Sequence, residues 1–284
     1  MFKKLIIDCE VRVVHEKARK PNFLSYSKEK IVQDIYKHPK INKAMKLWGV
    51  ESLIKSMNKN KIKYALLSGL AWKNQKVLND NNEYVSYCLD TYKDRFLGLY
   101  NASTYNPKQS AKKIMKLDKK KYVGVEIIPK WQNTNINDHR LKPIIKAVKK
   151  RKMFLKIYTA HPTQTLDGDA PYRTLQFLKM YPNLKVILPH LGGLLSIYGL
   201  FSPIKKIIKN VFFITSVSET MKMVEFSSKV NSKNLLFGTD FPFNNSFDQF
   251  KSLCELKKLK VPKKIKLDIL SKNSSKLLGF DKKG

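Results

Sequence analysis

The chain has 284 residues, of which 43% are hydrophobic and 11% aromatic, and it carries a net charge of +34. That is enough apolar material for one large core, since a closed α/β barrel takes about 250 residues. The run LKVILPHLGGLLSIYGLF is interrupted by Lys185, Pro189 and His190, which excludes a bilayer-spanning helix.

Leu5 to Ile7 is too short for a signal sequence and meets Asp8 and Glu10, so it reads as a first strand. Cys9, Cys88 and Cys254 lack paired spacing, which argues against a disulfide framework or a cysteine zinc site and for a cytoplasmic location. Only six of the 56 basic residues are arginine, whereas dedicated phosphate and base readers lean on arginine forks. The lysines therefore read as a solvated coat, with no specific nucleic-acid partner and no membrane partner.

Short apolar runs alternate with longer, lysine-rich helical patterns. The predicted strands are 5–8, 63–68, 96–101, 123–128, 154–159, 185–189, 211–215 and 235–238. Eight such units predict an α/β chain folded as a single (β/α)8 TIM barrel over 1–284. Between them, NPKQSAKKIMKLDKKK predicts a helix with Pro107 in its first turn and Ile114, Met115 and Leu117 toward the sheet. The stretch from Glu16 to Ile62, with helical patterns near 27–36 and 50–57, predicts an insertion over the barrel mouth. Residues 262–279 predict terminal helices, and no linker composition divides the chain.

In such a barrel, chemistry sits where strands end. In IIDCEVR, period-two geometry puts Asp8, Glu10 and Arg12 on one face and Cys9 and Val11 on the other. His190 precedes Gly192 and Gly193, which allow close backbone approach to a ligand. Asp240 stands between Gly238 and Pro242. A lone strand-end His often serves the core, and an Asp there can cap the next helix. Both together, on strands six and eight, point to acid-base chemistry.

The IID opening, GVEIIP at 124–129, YPNLKVILPHLGG, NVFFITS, LLFGTDFPF and the closing KNSSKLLGF resemble the amidohydrolase-related family. The similar branch contains aminocarboxymuconate-semialdehyde decarboxylase, resorcylate-type decarboxylases and small lactone hydrolases. In that family a His-x-His pair on strand one, a His-Thr-Gly on strand five and an Asp on strand eight hold one divalent metal. Here those positions read Glu10-Val11-Arg12, Tyr158-Thr159-Ala160 and Asp240, and His190 matches the strand-six His.

The resemblance implies a reduced metal site of Glu10, His190 and Asp240 that holds zinc or manganese weakly or not at all, with no organic cofactor. Glu oxygen is an acceptable ligand, but Arg12 has no lone pair and repels a cation. Arg12 is expected to clamp a substrate carboxylate or to neutralise Glu10. Tyr158 is expected to donate a proton or a hydrogen bond. His161 is expected in a loop near the substrate, or as a displaced strand-five ligand.

The expected function is a hydrolase or decarboxylase of a small, carboxylate-bearing substrate, with His190, Asp240 and Tyr158 catalytic. It works through the reduced metal site or through metal-free acid-base chemistry. A barrel that has lost catalysis and binds a ligand or protein partner is the alternative, and a homodimer is compatible with either.

Overall fold

The computed structural model describes residues 5–19, 29–37, 45–159, 171–216, 218–243 and 249–280. Eight parallel strands follow in sequence order around one sheet: β1 Ile7–Arg12, β2 Tyr64–Ser68, β3 Phe96–Asn101, β4 Tyr122–Ile127, β5 Phe154–Ile157, β6 Val186–Leu188, β7 Val211–Ile214 and β8 Leu235–Leu236. The seam between β8 and β1 is drawn together by Cys9 N–H donating to the Phe237 carbonyl and Arg12 N–H to the Phe241 carbonyl, both at 2.8 Å. The fold is therefore the expected (β/α)8 barrel, each strand lying within the run the sequence marks or a few residues from it.

Strand parity explains the two apolar layers. Ile7, Cys9, Leu66, Leu99, Phe154, Ile187, Ile214 and Leu236 fill the barrel as one cluster. The alternate residues, such as Leu67, Val125, Leu155, Leu188 and Phe213, belong to the larger core beneath the helices. Those helices include α1 Val50–Lys59, α2 Gln75–Thr91, α3 Pro107–Lys116, α4 Lys142–Lys150 and α5 Pro171–Met180. In α3, Pro107 stands in the first turn, Ile114 is buried, Met115 and Leu117 pack against the core, and Lys108, Lys112 and Lys116 face solvent. Short helices α6 Leu195–Tyr198 and α7 Ser202–Ile207 follow β6, and α8 Ser218–Asn231 follows β7. The chain closes with α9 Gln249–Lys258, α10 Lys263–Leu267 and α11 Asn273–Leu278.

After β1, the described part of the expected insertion holds a 3-10 turn at Glu16–Arg19 and a π-helical turn at Val32–Tyr36. It packs as a second apolar cluster with Trp48, Trp72, Ile128 and Trp131, against which Tyr158 and Phe243 rest. All three tryptophans of the chain belong to this cluster. Among the described residues, no helix is long and apolar enough to cross a membrane.

Candidate active site

Above the apolar filling, the inward positions of the strand ends are polar. They are Glu10 and Arg12 on β1, Ser68 on β2, Asn101 on β3, Glu126 on β4 and Lys156 on β5, followed by His190, Ser216 and Asp240 just beyond β6, β7 and β8. Strand β1 reaches this layer through a bulge. Asp8 pairs with Ala65 but Val11 with Leu67, so residues 8 to 11 run against 65 to 67. The extra residue reverses the alternation, which puts Ile7 and Cys9 in the apolar filling and Glu10 and Arg12 in the polar layer.

The bulge corrects the expectation that Asp8 shares a face with Glu10 and Arg12. The Asp8 carboxylate instead accepts from Glu10 N–H at 3.0 Å, Thr239 N–H at 3.1 Å, the Thr239 hydroxyl at 2.7 Å and Gln249 Nε2 at 2.7 Å. It ties β1 to the chain after β8 and to α9. Burial raises its pKa to about 6 in spite of these donors.

Arg12 is the hub of the site. Its Nη1 and Nη2 donate to Glu126 Oε2 and Oε1 at 2.8 and 2.9 Å, a bidentate pair. Nη2 also reaches Glu10 Oε1 at 3.3 Å, Nε reaches Asp240 Oδ1 at 3.3 Å, and Nη1 reaches the Ser68 hydroxyl at 3.3 Å and the Gly69 carbonyl at 3.2 Å. These acceptors engage every N–H direction of the guanidinium. The expected clamp on a substrate carboxylate is therefore corrected: the fork is closed on Glu126, while the expected pairing with Glu10 is present.

Lys156 lies beside Arg12, fully buried. Its Nζ stands 2.8 Å from Glu10 Oε1 and 3.1 Å from Glu126 Oε1. Burial opposes the charge on Glu126, yet Arg12 and Lys156 bring its pKa down to about 2. Burial opposes Glu10 too, and Lys156, His190 and Arg12 together hold it below the ordinary range. Asn101 supports Glu126 by donating Nδ2 to Oε2 at 2.9 Å, while its own Oδ1 accepts from Gly69 N–H at 2.8 Å.

His190 and Asp240 both act electrostatically on Glu10 or feel it. Both have left-handed backbones, with φ of 53° and 54°, a conformation that costs non-glycine residues energy and aims their side chains off the strand direction. The His190 ring lies with Nδ1 3.2 Å from the Ser216 hydroxyl, and burial keeps it toward the neutral form. Burial and the neighbouring Glu10 push the Asp240 carboxyl upward. Its side chain is 13% exposed, against 2% for Arg12, 1% for Lys156 and 0% for Glu10 and Glu126. The Tyr158 ring meets the His190 ring edge-on at 5.1 Å and stacks on Trp131 at 6.1 Å.

The expected residues Glu10, Arg12, Tyr158, His190 and Asp240 thus come together, whereas His161 lies outside the described residues. Sequence reasoning missed Glu126 and Lys156. A lone charge of each sign inside two apolar strands, GVEII and FLKI, was the available signal, because buried charges occur in partnered sets.

The donor set does not fit a divalent ion. Glu126 has two donors on each oxygen, and Glu10 Oε1 already faces two cations. At 4 Å and an effective dielectric near 20, two unit charges repel by about 4 kcal/mol, so a divalent ion among these carboxylates meets roughly twice that from each of Arg12 and Lys156. Among the described residues, no group of three or more His, Cys, Asp and Glu side chains has the geometry to hold a metal.

Fold and site define an α/β-barrel protein whose ionisable groups gather at the carboxyl ends of its strands. The chain belongs to the amidohydrolase family, whose sequence profile matches residues 37–280; this is a family of enzymes. No curated protein matches it significantly in sequence.

Among solved structures it is similar to 5-carboxyvanillate decarboxylase from Sphingomonas paucimobilis, with 15% identity, 97% of this chain and 99% of that one covered, and a TM-score of 0.79. For 2,6-dihydroxybenzoate decarboxylase from Rhizobium the values are 13%, 98%, 99% and 0.76. For 5-carboxyvanillate decarboxylase from Novosphingobium aromaticivorans, with bound manganese and 3-methoxy-4-hydroxy-5-nitrobenzoic acid, they are 14%, 98%, 97% and 0.78. At these identities the likeness is one of fold.

Proposed function

We propose that the protein is a decarboxylase of small aromatic carboxylates that works by acid-base chemistry. The observation that carries this reading is the position of Asp240. It is the most exposed carboxylate of the charge cluster, and it lies three residues before Phe243, which joins the aromatic layer of Trp48, Trp72, Trp131 and Tyr158. An acid on the same turn as a ring of that layer, with Phe243 N–H donating to its backbone carbonyl at 2.7 Å, suits an aromatic substrate. The similar folds that act on 5-carboxyvanillate and 2,6-dihydroxybenzoate support the same substrate class.

In the proposed step, Asp240 gives its proton to the ring carbon that bears the carboxylate. The bond from that carbon to the carboxylate breaks, its electron pair restores the ring, and carbon dioxide leaves; water then reprotonates Asp240, and the hydroxide left combines with carbon dioxide as bicarbonate. His190, beside the Ser216 hydroxyl, draws the proton of a ring hydroxyl, so raising electron density at the reacting carbon, and returns it to that oxygen once carbon dioxide has left. Tyr158 donates a hydrogen bond to the substrate, and the closed pair of Arg12 and Glu126 keeps the floor rigid.

The test is carbon dioxide release from a panel of hydroxybenzoates, aliphatic acids, lactones and amides. Turnover of a hydroxybenzoate that falls by about 10²-fold or more in Asp240→Asn and His190→Ala is expected. Hydrolysis of a lactone or amide without turnover of any carboxylate would replace this reading with a hydrolase. No turnover across the panel would favour a binding barrel.

A further inference from the structure

A buried ammonium that bridges two carboxylates is costly to desolvate and persists only where its partners are fixed. Lys156 satisfies that condition. It rises from the middle of β5 directly above Phe154 of the apolar filling, and Glu10 from β1 and Glu126 from β4 close on it from two sides. With Arg12, it matches Glu10 and Glu126 charge for charge, two cations against two carboxylates, at the end of the barrel where Asp240 and His190 also converge. In the similar fold from Novosphingobium aromaticivorans, manganese is bound. Glu10 Oε2 remains buried without a hydrogen-bond partner, so an oxygen beside the ammonium stands ready for a cation if the ammonium is removed.

We propose that Lys156 is a built-in cation that takes the place of a divalent metal ion among the carboxylates of this barrel and excludes one from it. Arg12 holds both oxygens of Glu126 and reaches Glu10 Oε1 at 3.3 Å, and Lys156 is the second cation that bridges Glu126 and Glu10, with its shorter contact to Glu10. Shortening Lys156 to a neutral side chain leaves Glu10 Oε1 with Arg12 Nη2 alone at 3.3 Å, beside the unpartnered Oε2, and removes the nearer of the two repelling charges. The variant then has oxygen donors of the hard type that manganese prefers. Retaining the charge, as in Lys156→Arg, keeps the ion out.

The experiment compares wild type, Lys156→Ala, Lys156→Gln, Lys156→Arg and, as a surface control, Lys149→Ala. All are expressed with added manganese and zinc and purified without chelator. Elemental analysis and the thermal midpoint with and without manganese are read on each. Wild type, Lys156→Arg and Lys149→Ala are expected to hold well under about a tenth of an equivalent, with a midpoint indifferent to metal and chelator. Lys156→Ala or Lys156→Gln is expected to take up about one equivalent and to show a midpoint that rises with manganese, with affinity roughly a hundredfold above wild type.

Two results overturn the proposal. Stoichiometric metal in wild type that survives dialysis would show that Lys156 excludes nothing. A folded Lys156→Gln that stays metal-free, judged by its circular dichroism, would assign the exclusion to Arg12 instead. Lys156→Gln is close in size to lysine and keeps the test decisive if Lys156→Ala fails to fold.

Discussion

Arg12 and Glu126 face each other across the barrel end side-on, Nη1 to Oε2 at 2.8 Å and Nη2 to Oε1 at 2.9 Å, with both side chains closed to solvent. Removing one partner of such a pair leaves the other buried and uncompensated, a loss of about 3–5 kcal/mol. Glu126→Gln is expected to lose that much stability in urea unfolding, whereas the paired change Arg12→Met with Glu126→Leu recovers a large part of it. A loss below about 1 kcal/mol for Glu126→Gln would mean that the pair is not dry.

The same carboxylate gives an acid signature. Its pKa falls from the ordinary 4.5 to about 2 in the folded protein, so the stability it contributes is complete above 4.5 and is lost as pH falls through 2. The difference of 4.5 − 2 units corresponds to about 3 kcal/mol. The stability gap between wild type and Glu126→Gln should narrow steadily over that window, and a gap independent of pH would refute the assignment.

Asp8 runs the opposite way. Its folded pKa of about 6 stands above the ordinary 3.8, so its contribution is full below 3.8 and declines as pH rises through 6. Wild type should lose up to about 3 kcal/mol between these values relative to Asp8→Asn. Equal slopes for the two proteins would show that Asp8 titrates as in the unfolded chain.

Gly238, two residues beyond β8, lets the chain pass close to both β7 and β1: a Cβ there would collide with Ile214 Cγ2 and stand 3.1 Å from Glu10 Cβ. Gly238→Ala is expected to cost about 1–3 kcal/mol as overpacking. The displacement of Glu10 should also lower turnover, and unchanged stability and turnover would contradict the packing described.

Because all three tryptophans lie in the cluster that Tyr158 and Phe243 join, tryptophan fluorescence, excited apart from the tyrosines, reports on that region alone. A hydroxybenzoate is expected to quench it saturably, and an aliphatic acid of the same charge far less. Equal response to both would remove the role given to the rings.

Much of this was legible in the sequence, because the barrel depends on short apolar runs bounded by polar ends. All eight strands, the insertion after β1 and the placing of His190 and Asp240 just beyond β6 and β8 follow from local pattern. The orientation of β1 did not, since the bulge between Asp8 and Val11 is set by pairing with β2, and a strict period of two therefore put Asp8 on the wrong side. The main partner of Arg12 was missed for a related reason. Glu126 is 114 residues away, and only the closed sheet brings β1 and β4 to face one another. Lys156 was hidden by its surroundings, one lysine in a chain with dozens.

The most direct measurement is turnover of a hydroxybenzoate by protein stripped with chelator and verified by elemental analysis to be free of divalent metal. The expected result is an undiminished rate that manganese and zinc leave unchanged and that Asp240→Asn abolishes. A rate that vanishes on stripping and returns with added manganese would contradict an acid-base site built around Arg12, Lys156 and their carboxylates.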